Sequence, residues 1–437
     1  MHETTGLTHS TVAATALPRT ALAPVAARPA PSASGLTVDL IEDLSGFAAL
    51  EDDWRALESR APCAEYFCSF DWCWVWWQHF GAQSGAAPLL LTIRRGSGLV
   101  AIMPLALESA GPYRYARLMG AGTGQYGDIL VDQTLGDRRP LHTALWTGLK
   151  RARIDTLHLD LVRDDANLAA FLAPLAKCAG QEEPSYEVVT GNFADFDAYM
   201  ASRPSSLRKD LRRRRRRLSE QGAPAYGLVT DPDAIAKDTV RAVELKRQWL
   251  AERGLHGRFL ARANVGDWMA DIAQRAHGRG RLHFSVLRVG GNLAATQIAF
   301  GSEGRLVGYF GAFDVAHSRH SVGKLHLEDH LADIFDSRVT LDLLPPADSY
   351  KAEWATPGIH ARSYTLPVSA VGRIVSLVHN PVQRQRLKRA YLALPGALRA
   401  SFAARVLGLA GTIKRAATGG ARRTSHTPLS QAKDQQS

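Results

Sequence analysis

The amino-acid sequence predicts a mixed α/β fold (an α+β arrangement around a mixed sheet) in two related halves. Three observations predict it: two glycine-turn hairpins, apolar strand-like runs alternating with helical stretches, and a recurrence of that pattern along 437 residues. A chain this long exceeds what one core usually organises, so structured halves are expected over 36–190 and 191–370. At 46% hydrophobic and 22% charged residues it can bury a core.

In chain order, residues 1–35 are rich in Ala, Pro, Thr and Ser, and Pro18, Pro24, Pro29 and Pro31 interrupt any helix, which predicts a disordered leader. No run approaches the roughly 18 apolar residues of a membrane span, and no compact secretory signal opens the chain, so a cytoplasmic location is expected. Trp54, Phe67, Trp72, Trp76, Trp77 and Phe80 form an aromatic block expected to be core. Cys63, Cys68 and Cys73 lie within it at a spacing that suits no zinc site, so they read as inert core thiols, and no metal is expected.

The first hairpin is 88–95 and 99–107 around Gly96-Ser97-Gly98, and the second is 282–289 and 292–300 around Gly290-Gly291. A third strand, 305–313, extends the second into a meander. Ser318 to Lys324 then leads into a helix with Leu325, Leu327, Leu331, Ile334 and Phe335, followed by a strand at 339–343. A glycine-bearing turn opening a helix presents unpaired N–H groups at the positive end of the helix dipole, a cradle for phosphate. No comparable strand, glycine turn and helix is evident in the first half, which reads as a structural partner.

Charge is concentrated in two places. Arg212 to Arg217 fall in a predicted helix over 206–221 whose Leu207, Leu211 and Leu218 share one side. Six consecutive arginines wrap such a helix, so they cannot all face one phosphate-bearing partner. From Val371 to Ser437 there are twelve Lys and Arg against one acid, so the whole formal +11 arises there. Leu398, Phe402, Val406, Leu409 and Ile413 give that basic tail a partly helical, amphipathic character suited to an anionic membrane surface.

Several residues carry a family resemblance: Trp54 with the aromatic block, Met103-Pro104-Leu105, Tyr126-x-Asp128, the arginine helix, Ser321-Val322-Gly323 and Tyr350-Lys351-x-x-Trp354. Through them the chain resembles GNAT-superfamily acyltransferases of the CelD/BcsL type, associated with cellulose and exopolysaccharide biosynthesis, which are similar to the tandem-GNAT Fem peptidyltransferases. The resemblance implies tandem GNAT-like folds and transfer of an acyl group, acetyl above all, from acyl-CoA to an amine or hydroxyl of a sugar or amino-sugar intermediate. It implies phosphate contacts from Arg319, Ser321, Val322, Gly323 and Lys324. Lys351 and Asp314 are the expected catalytic residues, with His317, His320 and His326 as further candidate bases, and Tyr126 and Asp128 are expected on the acceptor. The phosphate loop departs from the family pattern, having Gly323 alone and Leu325 where a second small residue is usual. An aminoacyl-tRNA donor of the Fem kind, and a non-catalytic membrane-surface role, therefore stand as alternatives.

Overall fold

The computed structural model of the chain describes residues 35–62, 64–123, 126–254, 257, 259–345 and 349–379. The first half opens with β1 (Leu36–Ile41), α1 (Leu44–Ala49), α2 (Glu51–Glu58) and α3 (Phe70–Trp76). Ser69 caps α3 by accepting from Trp72 N at 3.1 Å. The meander β2 (Ala87–Arg95), β3 (Gly98–Ala110) and β4 (Tyr113–Leu118) follows, then β5 (Leu130–Val131), α4 (Arg139–Arg151), β6 (Thr156–Arg163) and α5 (Asn167–Leu172). After β7 (Ala179–Val189) come α6 (Phe196–Ser202), α7 (Ser205–Ser219), β8 (Pro224–Leu228), α8 (Pro232–Glu252) and α9 (Val265–Gly278). The second meander is β9 (Leu282–Val289), β10 (Asn292–Ser302) and β11 (Arg305–Phe313). It leads into α10 (Val322–Ile334), β12 (Thr340–Asp342), α11 (Ser349–Trp354), β13 (Thr356–Pro367) and α12 (Ala370–His379).

All strands join one sheet in the order β1-β2-β3-β4-β6-β13-β7-β12-β11-β10-β9-β8, with β5 on β3. Each half has an antiparallel meander whose last strand pairs in parallel with the strand after a helix: β4 with β6 around α4, and β11 with β12 around α10. The strand, helix and strand order therefore exists in the first half too, contrary to the sequence expectation; the 20 residues from 119 to 138 that separate β4 from α4 obscure it. The halves also trade strands. β13 pairs with β6 of the first half, β7 pairs with β12 of the second, and β7 and β13 meet antiparallel mid-sheet. Two strands thus cross the linear division drawn at residue 190.

The aromatic block joins the halves. Trp72 is fully buried, and its ring meets Trp268, Tyr309 and Phe300 of the second half edge-on at 5.2, 5.4 and 5.8 Å. Such pairs each add about 0.5–1.5 kcal/mol beyond area burial. Cys68 and Cys73 are buried there, and Cys63 lies outside the described residues. Leu207, Leu211 and Leu218 seat α7, leaving its arginines outward or sideways. The leader, and the basic tail beyond 379, lie outside the described residues. No helix among the described residues is long and apolar enough to cross a membrane.

Candidate active site

β11 and β12 pair only from Arg305–Thr340 to Val307–Asp342. From Gly308 to Phe313, β11 is paired on its β10 side alone among the described residues, so the two parallel strands part immediately after Asp342. α8 packs along the opened stretch, and Lys246 Nζ donates to the Gly311 carbonyl at 3.2 Å. Strand amides without a partner can pair with an extended ligand laid between the strands.

Past the far end of β11, a 3-10 turn (Val315–His320) delivers the chain to Ser321, whose φ of 49° places it in the left-handed region. Lys324 N and Leu325 N both bond the Ser321 carbonyl, at 2.8 and 3.3 Å. The N–H groups of Val322 and Gly323 lie in the first turn, where no intrahelical acceptor exists. Val322 itself is buried. A Cβ on Gly323 would lie 3.7 Å from the Phe313 ring, an ordinary contact, so this glycine is not required by space. Lys324 pairs with Glu353, and the Arg319 carbonyl accepts from Arg214 Nη1 at 3.0 Å. Arg214 and Arg213 also share Asp210. Arg215 forks onto Glu328 and Asp329, each at 2.7 Å, and ties α7 to α10.

Asp314 caps the 3-10 turn by accepting from Ala316 N at 2.9 Å. Lys351 is buried, and its Nζ donates to the Leu344 carbonyl at 2.6 Å. Leu344 has φ 63°, a left-handed conformation costing roughly 1–2 kcal/mol for a side-chain-bearing residue. Lys351 therefore fixes the kink by which the chain leaves β12, and its ammonium is directed at that carbonyl. His326 and His330 are buried against Ser285 Oγ, at 3.1 and 2.9 Å. Burial drives the His326 pKa down to about 3 and that of His330 well below the usual imidazole range, so both are neutral and remote from solvent.

Tyr126 and Asp128, by contrast, reach the junction of the halves. Both line a cavity of about 510 Å³, together with Glu65, Arg138, Arg163 and Arg305. Beneath it lies a charged cluster drawn from distant parts of the chain. Asp342 is fully buried and accepts from Tyr126 Oη at 2.8 Å, Arg163 Nη1 at 3.1 Å, Arg305 Nη2 and Leu344 N. Arg163 also forks onto Asp165 and meets Glu187 at 3.2 Å, while Arg305 meets Glu187 at 2.8 Å. Asp342 is also the last β12 residue paired to β11, so the cluster sits where the strands part.

Two carboxyls on the cavity wall titrate near neutrality. Burial raises Glu65 to about 7 against the pull of Arg305 and Arg163. Burial likewise raises Asp128 to about 6 although the Asn167, Ile129 and Leu168 amides favour its charged form. Asp128 is committed to capping α5, accepting from Asn167 N and Leu168 N at 2.9 Å. Clefts with such groups are where proton transfer is expected. Glu65, Arg163, Glu187, Arg305 and Asp342 were not singled out from sequence. The available signal was an ionisable residue inside an apolar run, as in Leu-Val-Arg163 and Thr-Leu-Asp342-Leu, since a buried charge requires a partner.

The corresponding parting of strands in the first half is filled. β4 and β6 pair only from Tyr115–Thr156 to Arg117–His158, and Gly127 lies beyond, between Leu118 and Asp160. A Cβ there would come within 2.5 Å of the Asp160 carbonyl oxygen and 3.0 Å of Leu118 Cδ1. Gly127 N donates to the Leu161 carbonyl at 3.3 Å. The chain thus occupies with its own backbone the groove that the second half leaves open.

A mixed sheet whose parallel pair opens toward a helix N-terminus is the architecture of GNAT acyltransferases. Residues 205–352 match the family model described as "Acetyltransferase (GNAT) domain", so the second half carries a GNAT domain. Among solved structures, the chain is similar to FemX, with a TM-score of 0.51 and 10% identity over 77% of this chain and 100% of that one. It is also similar to a tandem GNAT protein from the clavulanic acid biosynthesis pathway, with a TM-score of 0.42 and 17% identity over 76% and 99% of the two chains. A third is the C-terminal domain of a putative lysylphosphatidylglycerol synthetase from Agrobacterium fabrum, with a TM-score of 0.45 and 14% identity over 75% and 96%. At these identities the likeness concerns the fold. No curated protein sequence matches the chain.

Proposed function

We propose that the protein is an acyltransferase that takes an acyl group from acyl-CoA, acetyl-CoA in the first instance, and passes it to an amine or hydroxyl acceptor held between the halves. The observation that carries this reading is the parting of β11 from β12 after Asp342, with the first-turn N–H groups of Val322 and Gly323, which have no intrahelical acceptor, beyond the far end of β11. An extended thioester laid along Gly308–Phe313 would meet strand amides able to polarise its carbonyl, and its pyrophosphate would meet the α10 N-terminus near Arg319 and Lys324. The acceptor would enter from the cavity lined by Tyr126 and Asp128. Proximity supplies much of the rate in such a transfer, because both reactants are bound.

A sugar or amino-sugar intermediate of envelope or exopolysaccharide synthesis is the acceptor we favour, and the polar lining of the cavity supports it. Work at the inner membrane face is consistent with Val371 and Ile374, exposed at the start of the basic C-terminal segment. A Fem-like aminoacyl-tRNA donor is the second reading, favoured by Arg212, Arg213, Arg216 and Arg217, which are exposed along α7. Calorimetric titration with acetyl-CoA, coenzyme A and bulk tRNA separates the two. The first predicts saturable acetyl-CoA binding that Gly323→Glu abolishes and Gly323→Ala retains. Binding of tRNA alone would overturn it.

A further inference from the structure

We propose that the cavity between the halves selects an acceptor with a primary ammonium group at one end and an oxyanion at the other, Glu65 taking the ammonium proton and Arg138 holding the oxyanion. This rests on the reading above that the cavity receives the acceptor.

The floor of the cavity is short of positive charge. Four carboxyls, Glu65, Asp165, Glu187 from β7 and Asp342 from β12, surround Arg163 from β6 and Arg305 from β11. Arg281, just before β9, lies behind them with its guanidinium on the Gly301 and Ala64 carbonyls. Each arginine is thus already engaged, and an anion reaching the floor would face an excess of carboxylates. An ammonium would relieve that excess.

Glu65 is the group left open to it. Its side chain is 12% exposed and lies 3.4 Å from Arg305 Nε, but that buried N–H makes no hydrogen bond, and none among the described residues reaches the Glu65 carboxyl. Of the other carboxyls lining the cavity, Asp128 caps α5 and Asp165 holds Arg163, while Glu303 is exposed to solvent, where pairing with an ammonium gains little. One guanidinium, Arg305, joins Glu65 to Asp342 at the point where the strands part, so a base here stands beside the donor groove. With a pKa raised to about 7, Glu65 is divided between its two forms at neutral pH and can accept a proton there and release it again.

Arg138, on the cavity lining, is held among the described residues by neutral partners, Asn167 Oδ1 at 2.9 Å and Gln133 Oε1 at 3.1 Å, which leaves its charge available to a phosphate or carboxylate. The step then balances as follows. The ammonium gives one proton to Glu65, and the freed nitrogen lone pair forms the N–C bond to the thioester carbonyl carbon. The C–S bond breaks, the thiolate leaves and takes up the second nitrogen proton, and Glu65 returns its proton to solvent.

The probes are glucosamine 6-phosphate and L-lysine, each compared with its hydroxyl isostere, glucose 6-phosphate or 6-hydroxynorleucine, by calorimetry on the full chain in buffers of different ionisation enthalpy. At least one ammonium compound should bind about tenfold or more tightly than its isostere, the increment of a charged hydrogen bond. Its binding should release about half a proton at pH 7, as the ionised Glu65 is favoured. Glu65→Gln should erase both the preference and the proton release, whereas Arg138→Gln should weaken all anionic probes and keep the preference. Equal binding of amine and hydroxyl, binding of no probe, or an unchanged proton release in Glu65→Gln overturns the proposal. Acetyl-CoA is titrated separately, so a donor site that fails while the amine preference persists removes the donor reading and leaves this one standing.

Discussion

Gly127→Ala tests the contrast between the filled and the open groove. Gly127 is not among the positive-φ residues, so alanine costs no backbone strain and the whole effect is steric. The new methyl would come 2.5 Å from the Asp160 carbonyl oxygen. That oxygen belongs to β6, which is hydrogen-bonded to β13 on its other edge and cannot retreat without breaking the middle of the sheet. The Leu118 side chain, 3.0 Å away, can give; the backbone cannot. Overpacking of this kind costs about 1–3 kcal/mol. With a urea m-value of about 3 kcal/mol/M, the unfolding midpoint should fall by about 0.3–1 M. Gly323→Ala, in the open groove, meets only the 3.7 Å contact with Phe313 and should leave the midpoint unchanged. Acetyl-CoA affinity should survive both substitutions. An unmoved midpoint for Gly127→Ala would refute the claim that the first-half groove is filled.

Other outcomes follow from the same geometry. His326 has a folded pKa below its unfolded value, so its contribution is fully present above about pH 6.5 and is lost as pH falls; the unfolded chain takes the proton first. Between pH 7 and 5 this costs about 2 kcal/mol, and the urea midpoint of His326→Asn should fall less over that interval than that of the unmodified chain. Glu65 acts in the opposite sense, since its raised folded pKa adds stability as pH drops from about 7 toward 4.5, and Glu65→Gln should remove that gain. Arg215→Ala breaks the fork to Glu328 and Asp329 and should cost up to about 1 kcal/mol, whereas exposed Arg216→Ala should stay within about 0.5 kcal/mol by the same denaturation assay. Tyr126→Phe removes a hydrogen bond to buried Asp342 and should cost about 1.5–3 kcal/mol.

What the sequence reveals here is mainly local. Both hairpins, the third strand at 305–313 and the leucine-seated helix over the arginine run follow from period and turn chemistry, which act between neighbours. β7 was invisible because Gln181-Glu-Glu-Pro-Ser185 reads as a polar loop; it is a strand through its pairing with β12 and β13, each more than 150 residues away. The charged cluster was hidden for the same reason, since Glu65, Arg163, Glu187, Arg305 and Asp342 share no spacing and meet only when the halves close. Lys351, a lysine after a strand that reads as functional, also anchors a left-handed leucine, a contact that no local pattern announces.

The trade of β7 for β13 makes the two halves inseparable. Cutting the chain near residue 190 would give an N-terminal piece that lacks the strand covering β6 and carries β7 with nothing to pair against, while the C-terminal piece would suffer the converse. Neither fragment should fold alone, yet the two mixed together should reassemble, because each holds the segment the other needs. A nick at exposed Gly191, ahead of α6, should accordingly leave the folded particle intact until denaturant is added.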